Sequence, residues 1–66
     1  MEITVNGAQE ELTAATSLID FLETKELDVD KLVIEYNQEI VKEAEWSDIT
    51  LKDGDQLEIL KFVGGG

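Results

Sequence analysis

The residues of this chain whose chemistry is most distinctive lie at its C-terminus, the run Gly64-Gly65-Gly66. A terminal carboxylate is ionised at neutral pH, so it accepts a nucleophile only after activation, for example as a mixed anhydride with AMP. Because glycine has no Cβ, such a tail can thread a narrow channel in an activating enzyme. The pattern predicts that the reacting atom belongs to Gly66 and the catalytic groups to a partner. From the glycines alone, an unstructured end or a remnant of cloning is an equal alternative.

Few side chains could make the chain itself an enzyme. It contains no His and no Cys, which removes the usual nucleophile–base pairs and most transition-metal sites. Paired carboxylates occur at Asp28/Asp30, Glu43/Glu45 and Asp53/Asp55. Acid–base catalysis needs a carboxylate in a pocket that shifts its pKa, and we expect no such pocket in so small a chain. Asp53-Gly54-Asp55 lacks the spaced ligands of a calcium loop, which favours a turn. We predict no catalytic residue, no bound cofactor and no metal.

The charge of the chain limits its partners. There are 16 acidic and 5 basic residues, a formal net charge of −11. Phosphate backbones and anionic membranes repel such a surface, so we expect neither nucleic-acid nor membrane binding. The charge suits basic protein partners, although it could also serve solubility alone. No apolar run approaches the roughly 20 residues of a membrane span, and the acidic N-terminus is unlike a signal peptide. A cytoplasmic location is the resulting prediction.

The N-terminal half predicts a hairpin followed by a helix. Apolar and polar residues alternate over residues 1–6, which is typical of a half-buried strand. Asn6-Gly7 favours a two-residue hairpin turn, so a second strand should return over about residues 9–13 with Leu12 inward. Ser17 is the predicted N-cap of a short helix, with Asp20 at its third position. The helix should end near residues 25–26 and bury three apolar side chains: Leu18, Phe21 and Leu22.

The C-terminal half predicts further strands in one domain of residues 1–63, with residues 64–66 as a flexible tail. The expected elements are a strand at 32–36, a turn at 37–39, a short strand from 40–41, a turn or single helical loop at 45–48, a tight turn at 53–55 and a last strand at 56–62. A helix packed across a sheet makes this an α+β fold with two layers.

The last strand should present different residues on its two faces. Leu57 and Ile59 share one face, whereas Leu60 and Phe62 lie on the other, with Val63 next along the chain. Exposed apolar residues beside the tail predict a partner-binding surface of Leu60, Phe62 and Val63. The alternative is that these side chains merely cover the second side of the sheet.

The chain resembles the ThiS family, the bacterial sulfur carriers of thiamine biosynthesis, which have a ubiquitin-like β-grasp fold. The resemblance covers essentially all 66 residues. It rests on the opening strand with Asn6-Gly7, on Tyr36-Asn37-Gln38-Glu39-Ile40-Val41, on Trp46, on Asp53-Gly54-Asp55 and on Phe62-Val63-Gly64-Gly65-Gly66. Lys42-Glu43 departs from the Pro-Arg that the family often has there, which puts only a basic contact in doubt. The resemblance implies a mixed sheet of four to five strands in which the first and last strands pair in parallel.

The resemblance also implies the chemistry of the tail. An adenylating (ThiF-like) enzyme would use ATP and magnesium to convert the Gly66 carboxylate to an acyl-adenylate. Sulfur from a cysteine-desulfurase persulfide would then give a thiocarboxylate, and thiazole synthase (ThiG-like) would take that sulfur for the thiazole of thiamine. In this interpretation the chain is a monomeric protein co-substrate and not an enzyme, and Gly64 and Gly65 continue its extended approach.

Two alternative functions stay open. One is a sister sulfur carrier of the molybdopterin-synthase small-subunit type, whose chains are usually longer than this one. The other is a ubiquitin-like interaction module without sulfur chemistry, whose tail is never activated or is joined to lysines. The free end at Gly66 argues against a module fused within a larger chain.

Overall fold

The computed structural model describes residues 1–61, and within them it contains five strands, one α-helix and two short 3₁₀ helices. The strands are β1 (Glu2–Val5), β2 (Ala8–Glu11), β3 (Leu32–Tyr36), β4 (Glu39–Val41) and β5 (Gln56–Lys61). The α-helix, α1, spans Leu18–Thr24, and the 3₁₀ helices span Val29–Lys31 and Glu43–Asp48. These elements confirm the predicted α+β class.

The five strands form one mixed sheet in the order β2-β1-β5-β3-β4. Two antiparallel hairpins, β1–β2 and β3–β4, lie on either side of β5. β5 runs parallel to β1, with Val5 opposite Leu57, and antiparallel to β3, with Ile34 opposite Ile59. The parallel pairing of first and last strands is therefore confirmed, and the C-terminal strand lies in the middle of the sheet.

The first hairpin has the predicted turn but a differently placed second strand. Asn6 and Gly7 have φ of 50° and 83°, the positive values that a two-residue turn of this kind requires. Because this turn leaves no further loop residue, β2 begins at Ala8, not at residue 9. It ends at Glu11, opposite the first residue of β1, so the prediction that it extends to residue 13 was wrong. Leu12 follows the strand and is half-buried against the core.

The helix begins and ends where its sequence predicts. Ser17 is the N-cap, and its Oγ accepts a hydrogen bond of 3.2 Å from the amide of Asp20. Lys25 is the C-cap, and Glu26 follows it with a φ of 57°. A helix of only seven residues is marginal in isolation, so burial of one apolar face on the sheet must stabilise it.

The core lies between α1 and one face of the sheet. It consists of nine buried apolar side chains: Ile3, Val5, Leu18, Phe21, Leu22, Ile34, Trp46, Leu51 and Leu57. Trp46 is the largest of them and is only 1% exposed. The predicted loop around Trp46 is the second 3₁₀ helix, Glu43–Asp48, and the indole Nε1 donates to the carbonyl of Val41 at 3.1 Å. None of the described helices has the length and apolar character needed to cross a membrane.

Candidate functional site

The end of β5 is the part of the described chain that leads toward the predicted tail. Leu57 is 1% exposed and Leu60 is 49% exposed, which confirms that the two side chains lie on opposite faces of the strand. β5 ends at Lys61. The predictions for Phe62, Val63, Gly64, Gly65 and Gly66 lie outside the described residues and stay predictions.

Leu60 belongs to the face of the sheet that is turned away from α1, here called the open face. Residues that are directly paired between strands point to the same face, so the register identifies its members. Val33 on β3 lies opposite Leu60, and Ile40 on β4 lies opposite Glu35 and therefore diagonal to Val33. Ile40 is 71% exposed, and Val33 is half-buried without belonging to the core. We call Leu60, Val33 and Ile40 the apolar patch.

Sequence reasoning identified only Leu60 of this patch. Alternation within 32–36 carried a signal for Val33, because a strand that buries Ile34 must turn both neighbours outward. Ile40 could be assigned to the open face only once its partner on β3 was known. The structure thus places Leu60, the predicted docking residue, beside two apolar side chains that sequence reasoning did not assign to this face.

Acidic side chains lie next to the apolar patch on the open face. Glu35 and Glu58, direct cross-strand partners on β3 and β5, adjoin the patch, whereas Glu2 and Glu11, direct partners on β1 and β2, lie toward the opposite end of the same face. Like charges in such positions repel each other and destabilise the sheet slightly. Among residues 1–61 there is one salt bridge, between Lys25 and Glu10. It lies on the other face of the sheet, because Glu10 is paired with the core residue Ile3. The open face therefore combines an apolar end with a negative flank.

A buried carboxylate fixes the beginning of β5. Asp55 is 6% exposed and accepts hydrogen bonds from Tyr36 Oη at 2.7 Å, Asn37 Nδ2 at 3.1 Å and the amide of Lys52 at 2.7 Å. Burial alone would raise the pKa of Asp55, but the hydrogen bonds from Tyr36, Asn37 and Lys52, with the charge of Lys52, outweigh it and lower the pKa. Burial, with the hydrogen bond to Asp55, raises the pKa of Tyr36 to about 12.

The carboxylates of Asp53 and Asp55 are engaged by protein hydrogen-bond donors and are not arranged as a cation site. Gly54 has a φ of 89°, which confirms the predicted tight turn of Asp53-Gly54-Asp55. Asp53 Oδ1 accepts from the amide of Glu2 at 2.7 Å, and both Asp55 oxygens accept from protein donors. Within residues 1–61 no three His, Cys, Asp or Glu side chains are grouped as metal ligands would be.

A mixed five-stranded sheet with parallel β1 and β5, crossed by one helix, defines a ubiquitin-like β-grasp domain. The ThiS family model matches residues 3–66, which is nearly the whole chain and includes the three glycines. The chain belongs to the ThiS family.

Similar solved structures agree with this assignment. The crystal structure of the thiamine biosynthesis protein (ThiS) from Geobacter metallireducens superposes with a TM-score of 0.86 and 29% identity, covering 100% of both chains. The NMR solution structure of a thiamine biosynthesis protein from the same organism has a TM-score of 0.82 at 29% identity, covering all of this chain and 88% of that one.

Curated relatives include larger proteins. A thiazole synthase of Paramagnetospirillum magneticum is 33% identical over all 66 residues, and this chain spans 20% of its length. A thiazole synthase of Magnetococcus marinus is 30% identical over the same residues, again with 20% of its length covered. The uncharacterized protein ycf40 of Trieres chinensis is 34% identical over 62 residues, 94% of this chain and 85% of that protein.

Proposed function

We propose that this chain is a sulfur carrier in which the carboxylate of Gly66 is adenylated and then converted to a thiocarboxylate for thiazole formation in thiamine biosynthesis. The observation that carries the proposal is the match to the ThiS family over residues 3–66, which extends through Gly64, Gly65 and Gly66. The tail supplies the reacting carboxylate, and the folded domain supplies recognition. The chain itself is a co-substrate of its partners and does no catalysis.

The chemistry proceeds in three steps on partner proteins. An adenylating enzyme with ATP and magnesium forms the acyl-adenylate and releases pyrophosphate. The terminal sulfur of a cysteine-desulfurase persulfide then forms a C–S bond to the Gly66 carbonyl carbon as AMP leaves. A thiol must next cleave the S–S bond to the donor, which leaves the thiocarboxylate on Gly66 and a disulfide on the donor side. The role of ATP is to convert a poor electrophile into a good one.

The open face is the proposed docking surface for these partners, with Leu60, Phe62 and Val63 nearest the tail. Val33 and Ile40 extend it on the neighbouring strands, so its exposed apolar area does not depend on Leu60 alone. The pair Glu35 and Glu58 favours a partner with basic side chains beside an apolar centre. A cytoplasmic location and a monomeric state belong to the same proposal.

Thiazole synthase is the proposed sulfur acceptor. Support comes from the two bacterial thiazole synthases whose sequences include a segment 30–33% identical to this whole chain. A domain that is fused to an enzyme in some organisms commonly acts together with that enzyme. The sister role with a molybdopterin synthase predicts a different acceptor for the same thiocarboxylate.

Intact mass spectrometry tests the proposal. The chain is incubated with a purified ThiF-type adenylating enzyme, ATP, magnesium, a cysteine desulfurase, cysteine and a reducing thiol. We expect a mass gain equal to one oxygen-for-sulfur exchange, and no gain when ATP is left out. A chain lacking Gly66 should form no adenylate. It should keep the urea midpoint of wild type, because the buried core lies within residues 1–61. An unchanged wild-type mass with partners that modify another ThiS-family protein would refute both carrier hypotheses.

The acceptor and the interaction-module alternative are separated with the same material. Mixed with a ThiG-type thiazole synthase and its other substrates, the thiocarboxylate should revert to the carboxylate. Reversion with the large subunit of molybdopterin synthase, and not with thiazole synthase, would favour the sister pathway. A product with the mass of a lysine conjugate would instead identify an interaction module.

Docking through the open face has its own test. Leu60→Asp places a charge in the apolar patch, and we expect binding to the adenylating enzyme to weaken at least about tenfold. Ala15→Asp adds the same charge in the exposed loop before α1 and should change binding less than about twofold. Equal affinities of the two variants would mean that the patch merely covers the sheet.

A further inference from the structure

Two asparagines occupy equivalent positions in the two hairpins that flank β5. Asn6 is the first residue of the β1–β2 turn and Asn37 is the first residue of the β3–β4 turn, and both have a φ of 50°. Asparagine tolerates this left-handed conformation, so both positions can be explained by the turns alone. Their side chains, however, point to a second role, because both form hydrogen bonds to β5.

Asn6 continues the β1–β5 ladder after β1 has ended. The last paired residues of that ladder are Val5 and Leu57. Beyond them, the backbone amide of Asn6 donates to the carbonyl of Leu57 at 2.9 Å. Its side-chain amide then accepts from the N–H of Ile59 through Oδ1 at 2.7 Å and donates through Nδ2 to the carbonyl of Ile59 at 3.3 Å. A carboxamide offers one acceptor and one donor side, as a peptide group does, so it replaces the next peptide of a parallel strand.

Ile59 is the last residue of β5 that is hydrogen-bonded toward β1. On the other edge, the pairing with β3 continues to Lys61, which lies opposite Leu32. Within the described residues, no group on the β1 side pairs with Lys61. The Asn6 side chain therefore decides how far toward the C-terminus β5 is held from both edges.

We infer that Asn6 is a positioning residue whose side-chain amide fixes the C-terminal half of β5, and with it the direction in which the chain leaves the sheet toward Gly66. The inference rests on the proposed function. A partner must engage the apolar patch at Leu60 and receive the reacting carboxylate of Gly66, which follows β5 in the sequence. If only β3 held β5 beyond Leu57, the position of the apolar patch and the direction in which the chain leaves β5 would both vary. Fewer encounters with the partner would then be productive.

Asn37 provides a matched control of the same chemistry at the other end of β5. Its backbone amide donates to the carbonyl of Gln56 at 2.8 Å, and its Oδ1 accepts from the N–H of Gln56 at 2.8 Å. Asn37 thus holds the first residue of β5, and Asn6 holds the fourth. Replacing either with glycine keeps the positive φ of the turn and removes the side-chain bonds, which for Asn37 include the donation from Nδ2 to Asp55 Oδ1 at 3.1 Å.

Amide hydrogen exchange directly measures the hydrogen bond from the Ile59 amide to the Asn6 side chain. In Asn6→Gly we expect the Ile59 amide to exchange about five- to tenfold faster relative to Ile34, because a single hydrogen bond protects it on that edge. In Asn37→Gly the Gln56 amide should respond, whereas the exchange of Ile59 relative to Ile34 should not change, because the lost bond to Asp55 lowers global stability and affects both of those amides together. Unchanged exchange of Ile59 in Asn6→Gly would overturn the inference whatever the kinetics show.

Steady-state adenylation with a ThiF-type enzyme, ATP and magnesium tests the consequence. Asn6→Gly should raise KM for the chain about three- to tenfold with kcat within about twofold, while Asn37→Gly stays near wild type. Asn6→Asp keeps the acceptor for the Ile59 amide and should fall between Asn6→Gly and wild type. Equal effects of both glycine variants, or none in either, would overturn positioning by Asn6. A wild-type chain that is not adenylated would refute the proposed function instead, and hydrogen exchange alone would then decide whether Asn6 fixes β5.

Discussion

Replacement of Asp55 by asparagine should destabilise the fold more than the loss of any exposed charge among residues 1–61, because Asp55 is buried. The carboxylate accepts three hydrogen bonds, two at Oδ2 from Tyr36 and Lys52 and one at Oδ1 from Asn37. In Asp55→Asn, an oxygen at the Oδ2 position still accepts from Tyr36 and Lys52, but the new NH₂ group faces the NH₂ group of Asn37. Turning the Asn37 amide over does not help, because its Oδ1 already accepts from the amide of Gln56.

The magnitude follows from these contacts. One hydrogen bond to a charged, buried acceptor is lost, which costs about 1.5–3 kcal/mol. The two that remain lose their charge assistance, at roughly 0.5 kcal/mol each. The free energy of unfolding should therefore fall by about 2.5–4 kcal/mol, out of the roughly 3–10 kcal/mol that a domain of this size has.

Urea unfolding at pH 7, followed by the fluorescence of the single tryptophan, Trp46, measures the loss because this side chain is 1% exposed in the fold. Asp48→Asn is the control, since Asp48 is exposed at the end of a 3₁₀ helix, and it should change stability by less than about 0.5 kcal/mol. If Asp55→Asn lowered the free energy of unfolding by less than about 1 kcal/mol, the three hydrogen bonds to Asp55 would not be a stabilising feature of the fold.

The pH dependence gives the same prediction an independent check. The pKa of Asp55 is lowered in the fold, so its contribution is complete above the unfolded-state pKa near 3.9 and is lost as pH falls through the folded value. Wild type should therefore lose its advantage over Asp55→Asn as the pH is lowered below about 4. A difference that stays constant between pH 7 and pH 3 would show that the ionised carboxylate is not responsible.

Three further measurements follow from the described residues. Because the pKa of Tyr36 is raised to about 12, wild type should lose stability as the pH rises from about 10 toward that value. In urea titrations over the same pH range, Tyr36→Phe should lose less stability than wild type. Glu26→Gly should raise the free energy of unfolding by about 0.5–1 kcal/mol, since Glu26 has a φ of 57° after the helix C-cap; a decrease would refute strain there. Gln38→Gly should stabilise by a similar amount of about 0.5–1 kcal/mol, because Gln38 has a φ of 73° at the second position of its turn, and Gln38→Ala should not stabilise.

Local sequence signals predicted the local parts of the fold. Asn6-Gly7 identified its turn because few residue pairs accept two positive φ values in succession, and Ser17 with Asp20 identified the start of α1 through one side-chain hydrogen bond. Each of these depends on neighbours within a few residues. The bounds of β2 were wrong because they depend on where the partner strand begins.

Features that depend on distant residues could not be derived from the pattern. The parallel pairing of β1 with β5 came from the family resemblance, since nothing in either segment specifies its neighbour. In the sequence, Asp55 resembles any acidic residue of a surface turn. Its burial depends on hydrogen bonds from Tyr36 and Asn37, which belong to another hairpin. Ile40 was not assigned to the proposed docking surface for the same reason. The tail residues beyond Lys61 stay predictions from sequence and family.

The central place of β5 has a consequence for how the protein is made. β5 is the last of the five described strands to leave the ribosome, yet it joins two hairpins that have already been synthesised, through contacts such as Asn6 to Ile59 that are 53 residues apart. Until Lys61 has emerged, each hairpin is a two-stranded ribbon with an edge exposed to other chains, and such ribbons are barely stable alone. The domain should therefore acquire its cooperative structure in one step only after β5 has been synthesised, with a rate limited by long-range pairing.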